Sequence, residues 1–199
     1  MLENKDIEII KKEVEKLIQQ EKVFVNKKEK DYFTKFFLDN SENSLNTARL
    51  LMDISNNYLL RKEVGYPDLN SYLWVINASY YSMFYVVRAL LENSGIILKA
   101  DSSTQSIHLL TFYALIYYFY LNKKLEFKLI KDFQEANEES SELLGKEKAK
   151  KFMEEYELEK EKRNFFTYNL GFVAIKSKAE TSLNRAIYFN QEIRKLITF

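Results

Sequence analysis

The chain has 199 residues, 30% of them charged, and a formal net charge of +1. That length suits one domain with a buried core, and near-neutrality excludes a bulk electrostatic pull towards nucleic acid or anionic lipid, so any anion site must be local. The absence of cysteine excludes disulfides and thiolate zinc sites and fits a reducing compartment.

Four glycines and a single proline leave few local terminators, so long helices joined by short polar turns are expected. No stretch alternates cleanly with period two. The expected fold class is all-α, an up-and-down helical bundle of about five to six helices with an extra N-terminal helix. Residues 1–30 read as the helical extension and 31–199 as the bundle domain.

In chain order, the opening MLENKDIEIIKKEVEK lacks the apolar core of a signal peptide, and a cytoplasmic protein is expected. Residues 4–22 form an amphipathic helix with Ile7, Ile10, Val14, Leu17 and Ile18 on one side. A longer helix covers 31–57, and the stretch 61–70, with Gly65 and Pro67, is a connection in which Asp68 or Asn70 can cap the next helix. Residues 71–94 make the most apolar helix, with Trp74, Ala78, Tyr81, Tyr85 and Arg88 recurring at spacings of four and three. Its first half carries no charge, but Asn77 and its tyrosines need hydrogen-bond partners, which favours a bundle centre over a membrane span. Gly95 falls where a left-handed residue closes a helix. Asp101 to Thr104 can cap a helix over 105–121. Further helices are expected over 126–143, 147–163 and 174–197. The residues expected inside are Trp74, Ala78, Tyr81, Phe84, Leu90, Phe112, Leu115, Leu183, Ala186 and Ile193. Glu42–Ala48 and Glu180–Ala186 share Glu, Ser, Leu, Asn and Ala in register, which is either a coincidence of two similar amphipathic helices or a sign that the second and last helices pack together or play equivalent roles.

Most chemistries are excluded by residue type. Neither phosphate-binding glycine loop occurs, and His108 is the only histidine, so zinc sites of the usual ligand sets are not available. A di-metal bundle wants Glu-x-x-His, and the residue three before His108 is Gln105. No metal and no cofactor are expected. The charge run over 138–163 reads as solvated helix face, with Glu159 and Arg163 at ion-pair spacing. One segment stands out, Arg163-Asn164-Phe165-Phe166-Thr167-Tyr168-Asn169-Leu170-Gly171, expected as a loop before the last helix. An arginine fork suits phosphate oxygens and aromatic rings offer faces to bases. Lys160, Lys162, Arg163, Phe165 and Phe166 are therefore the candidate nucleotide or RNA contacts. The alternative is a helix cap with packing aromatics.

The ordered set SLNTARLL (44–51), WVINASYYSMFYVVRALLENSGI (74–96), SIHLLTF (106–112) and RNFFTYNLG (163–171) resembles the HEPN family, the higher eukaryotes and prokaryotes nucleotide-binding domains. The resemblance covers roughly 37–195. It implies a bundle that forms a two-fold homodimer and, in many members, a metal-independent ribonuclease acting as a toxin beside a nucleotidyltransferase-like antitoxin. The family motif is an arginine followed by four to six residues and a histidine. Arg163 and Asn164 match its start, but Tyr168 stands where histidine belongs, and a tyrosine near pKa 10 is a poor base at neutral pH. His108 reads as structural. Two functions are expected. One is a module that binds a nucleotide, RNA or a nucleotidyltransferase-like partner, with degenerate catalysis. The other is an endoribonuclease in which Arg163 stabilises phosphorane charge, Asn164 holds the phosphate and Tyr168 serves as acid.

Overall fold

In the computed structural model, which describes residues 4–26, 30–99, 106–144 and 165–198, one helix is the centre about which the others pack. This is α4, Tyr72–Asn93, and from Ser82 to Asn93 only Tyr85 is not buried. A helix apolar on most faces lowers its free energy by being surrounded. Four neighbours do so: α2 (Lys30–Asn56), α5 (Ile107–Leu115), α6 (Phe127–Leu144) and α7 (Phe165–Arg194).

Side-chain contacts give the directions. Ser41 of α2 meets Ser82, and Ser55 meets Ser71, so α2 runs antiparallel to α4. Ser140 of α6 meets Asn77 while Phe133 stacks on Tyr80, which is again antiparallel. Asn190 of α7 meets Ser82 and Asn93 meets Thr198, so α7 runs parallel to α4. The chain therefore goes up, down, up and down, as expected of an all-α bundle. The second and last helices do pack together, with Ala48 and Ala179 in one apolar cluster beside Met52 and Val75. Small residues there let the two backbones approach closely.

The N-terminal helix α1, Asn4–Gln19, puts Ile10, Val14 and Leu17 into the main core with Leu110 and Ile116. Two short strands come from opposite parts of the chain: β1, Val23–Val25, pairs antiparallel with β2, Ile96–Leu98, in the register Val23↔Leu98. Three-residue strands carry too little alternation to be seen in sequence. Gly95 has φ +73°, as its place after α4 requires, and its carbonyl accepts from Asn26 N at 2.7 Å. Beyond α5 the helix continues through a π-turn, Ile116–Tyr120, so the expected helix over 105–121 is present with a wider last turn. Ser106 is its cap, accepting from Leu109 N at 3.3 Å. Asp101 to Thr104 lie outside the described residues, as does the helix expected over 147–163.

Three expectations need correction. The connection over 61–70 begins with a short helix, α3 (Tyr58–Glu63), capped by Asn57, whose side chain accepts from Leu60 N. Arg61 closes this turn by donating to the Pro67 carbonyl at 2.8 Å and the Ser55 carbonyl at 2.5 Å. Second, the last helix starts at Phe165, not 174. Gly171 is tolerated inside it at about 1 kcal/mol, and no proline stops the helix earlier. Third, Trp74 is 60% exposed. Phe84, Leu90, Leu115, Ala186 and Ile193 are buried as expected, while Ala78, Tyr81, Phe112 and Leu183 are half-buried. Trp74, Ala78 and Tyr81 share one stripe of α4, of which Trp74 is exposed while Ala78 packs against the α2 and α7 cluster and Tyr81 against the main core. No described helix is long and apolar enough to cross a membrane.

Candidate functional site

The segment singled out by sequence falls at the start of α7. Lys160, Lys162, Arg163 and Asn164 lie outside the described residues. Phe165, Phe166 and Tyr168 are in the first turns of α7, a helix where a loop was expected, and their side chains lie outside what is described. Ile175 of α7 packs against the cluster of Met52, Tyr72 and Val75. Tyr168 stands seven residues earlier, ~10.5 Å along the helix at 1.5 Å per residue. Because α7 runs parallel to α4, its first turns, with Phe165, Phe166 and Tyr168, lie at the end of the bundle where α4 starts.

His108 has a structural partner. Its Nδ1 lies 2.7 Å from the Tyr80 hydroxyl, and its ring packs 4.4 Å from Phe84 with Tyr80 and Tyr81 alongside. Burial lowers its pKa, and the nearby Arg88 lowers it further, so the ring is neutral at pH 7. Burial holds the Tyr80 hydroxyl well above the usual tyrosine range, so it stays protonated, and the imidazole tautomer sets which of the two groups donates. That bond fixes the imidazole, and the rings around it leave it poorly placed to move protons for a ligand.

Arginine is committed elsewhere too. Arg88 is buried against Glu92 with one hydrogen bond of 3.3 Å, under the face of Phe37 at 4.6 Å. Its Nε has no partner. Burial pushes the Arg88 pKa down and the Glu92 pKa up, and their mutual attraction opposes both shifts. Arg185 bridges Glu139 and Glu135, Arg194 reaches Glu42, Arg49 bonds Asn46, and Arg61 is spent on carbonyls. Every described arginine is therefore engaged within the fold. Among the described residues no group of three or more His, Asp or Glu could hold a metal ion.

Two open depressions of about 350 Å³ each are present among the described residues, one between α1, α5 and α6 and one, a groove, along α2 and α4. Asn40, Asn43, Ser44, Thr47 and Leu51 line it from α2, and Trp74, Asn77, Ala78, Tyr81 and Tyr85 from α4. In a chain that is 30% charged, none of these ten is charged at neutral pH. Asn77 Oδ1 accepts from Ser140 Oγ at 2.9 Å, which leaves its Nδ2 without a partner among the described residues. Asn40 donates to the Phe36 carbonyl at 2.7 Å, and Phe37 stacks on Tyr85 at one end. The rim is thus aromatic and the walls carry amides and hydroxyls, a lining that takes an uncharged ring with a polar edge. The spacing of Trp74, Ala78, Tyr81 and Tyr85 is plain in the sequence. Its exposure is not, because periodicity marks a face without saying what covers it.

No family model, no curated protein and no solved structure matches this chain.

Proposed function

We propose that the protein is a HEPN-type helical module that binds single-stranded RNA or a nucleotide and does not cleave it. The observation that carries this reading is the uncharged groove of aromatic rings and amides, a lining suited to bases. The commitment of His108 to Tyr80 argues against catalysis, since it removes the one side chain whose ordinary pKa suits proton transfer at neutral pH. Arg163, with Lys160 and Lys162 beside it in sequence, is the cationic group this reading assigns to phosphate. A two-fold homodimer would double that local charge, and a nucleotidyltransferase-like protein is the partner that the family resemblance suggests.

Labelled single-stranded RNA incubated with the wild type and with Arg163→Ala in EDTA tests this. The expected result is no cleavage by either protein and salt-sensitive retention by the wild type, weakened in the variant. Cleavage by the wild type that is lost in Arg163→Ala would replace binding by the endoribonuclease reading, with Arg163, Asn164 and Tyr168 as its catalytic set. Absence of any retention would remove the RNA reading.

A further inference from the structure

We infer that the groove between α2 and α4 is a stacking site for one neutral planar heterocycle, a nucleobase, held between Trp74 and Tyr81. The inference rests on the binding function proposed above and gives that function its base-recognition site.

Trp74 and Tyr81 stand two turns apart on one face of α4, about 10.5 Å of helix rise. Between them the helix presents Asn77 and Ala78, and the Ala78 methyl group keeps the floor low. A flat ring stacked on both faces needs ~7–8 Å between the flanking planes. The two-turn separation therefore leaves room for a stacked ring. Trp74 is 60% exposed, makes no ring contact among the described residues and is free to turn onto a ligand. Tyr81 is held among the rings of Tyr80, Phe84, Tyr85 and His108 and is the fixed ring of the pair.

Edge recognition comes from the amides. Ser140 holds the oxygen of Asn77 and so points its Nδ2 as a donor. Asn43 is exposed on the opposite wall, and its side chain has no partner among the described residues. An amide offers a donor and an acceptor side by side, the pattern that a base edge complements. The missing charge is equally specific. Phosphate would find no cation in the groove, so the backbone of a nucleotide must lie outside it. Leu51 and Ala78 line the groove and also pack in the cluster that holds Ile175, so its Trp74 end adjoins α7.

Trp74 is the only tryptophan, so its fluorescence reports on the groove directly. The full chain is titrated with adenosine, cytidine, a short single-stranded RNA, inorganic polyphosphate and a neutral trisaccharide. Expected are quenching by the nucleosides and the RNA and none by polyphosphate. Nucleoside affinity should not change between about 50 and about 500 mM salt, whereas RNA affinity should fall. Tyr81→Leu, which keeps apolar bulk and loses the aromatic face, should weaken nucleoside binding by roughly tenfold or more, while Tyr81→Phe retains it. Asn43→Ala, at an exposed position that cannot unfold the chain, should weaken it several-fold.

Quenching by the trisaccharide in place of the nucleosides overturns the ligand class. RNA retention that leaves Trp74 emission unchanged and survives Tyr81→Leu overturns the groove assignment and leaves the binding function standing. Nucleoside binding without RNA retention supports the groove and removes the RNA reading. No response to any ligand overturns the inference.

Discussion

Replacing Asn190 by alanine and by aspartate probes the buried junction of α2, α4 and α7. Asn190 is 2% exposed. Its Oδ1 lies 2.6 Å from Ser41 Oγ, and its Nδ2 donates to Ser82 Oγ at 3.1 Å and to the Ala186 carbonyl at 2.9 Å. In Asn190→Ala no donor is orphaned, because Ser41 keeps the Ser82 carbonyl at 2.9 Å and Ser82 keeps the Ser79 carbonyl at 2.8 Å. The loss is then the hydrogen bonds themselves, near 1 kcal/mol each, for a total of about 2–3 kcal/mol. A chain of this size should melt roughly 4–12 °C lower. Asn190→Asp has the same shape but costs more at neutral pH. One oxygen still accepts from Ser41, while the other faces the Ala186 carbonyl, acceptor to acceptor, and carries a buried charge. Its folded-state pKa must rise above the ordinary carboxylate value, so its penalty is absent below the unfolded pKa and grows as pH rises through the folded one. Urea unfolding at neutral and at mildly acid pH measures both effects. An aspartate variant no worse than alanine at neutral pH, or a gap between them independent of pH, would refute the account of this junction.

Two further predictions concern the core and the histidine. Phe133 is buried and stacked on Tyr80 and Phe189, so Phe133→Ala should cost about 3–5 kcal/mol, whereas Trp74→Ala should cost under ~1 kcal/mol in thermal or urea unfolding. A large loss for Trp74→Ala would mean that its face of α4 is covered. The folded-state pKa of His108 is lowered, by burial first and Arg88 second, so its contribution is present above the unfolded value near 6.5 and is lost as pH falls below it. Stability of His108→Gln should therefore fall less than that of the wild type between about pH 7 and about pH 5. The difference between the two proteins is the quantity to read, because the raised Glu92 pKa contributes a slope of opposite sign in both.

The amino-acid pattern by itself determined the helices and much of what they bury. Helical periodicity is local: Ile10, Val14 and Leu17 on α1, or Ala186, Phe189 and Ile193 on α7, must face one way whatever else the chain does. The scarcity of glycine and proline and the left-handed Gly95 mark element ends for the same local reason. The tertiary structure decided which faces are covered. Trp74 and Tyr81 read as core because they share a stripe with Ala78, and only the placement of α2, α6 and α7 leaves that stripe as one wall of a groove. Ser41, Ser82 and Asn190 carry no signal in sequence and become a buried network because three helices bring them within hydrogen-bond distance. The pairing of β1 with β2 joins segments about 70 residues apart, and its three-residue strands carry no pattern to announce it. The Arg163 segment is legible as chemistry but not as a helix start, since Gly171 looks like a stop and is only a modest cost within a long helix. Local sequence sets what each element prefers, and burial is a property of pairs of elements, which no single stretch encodes.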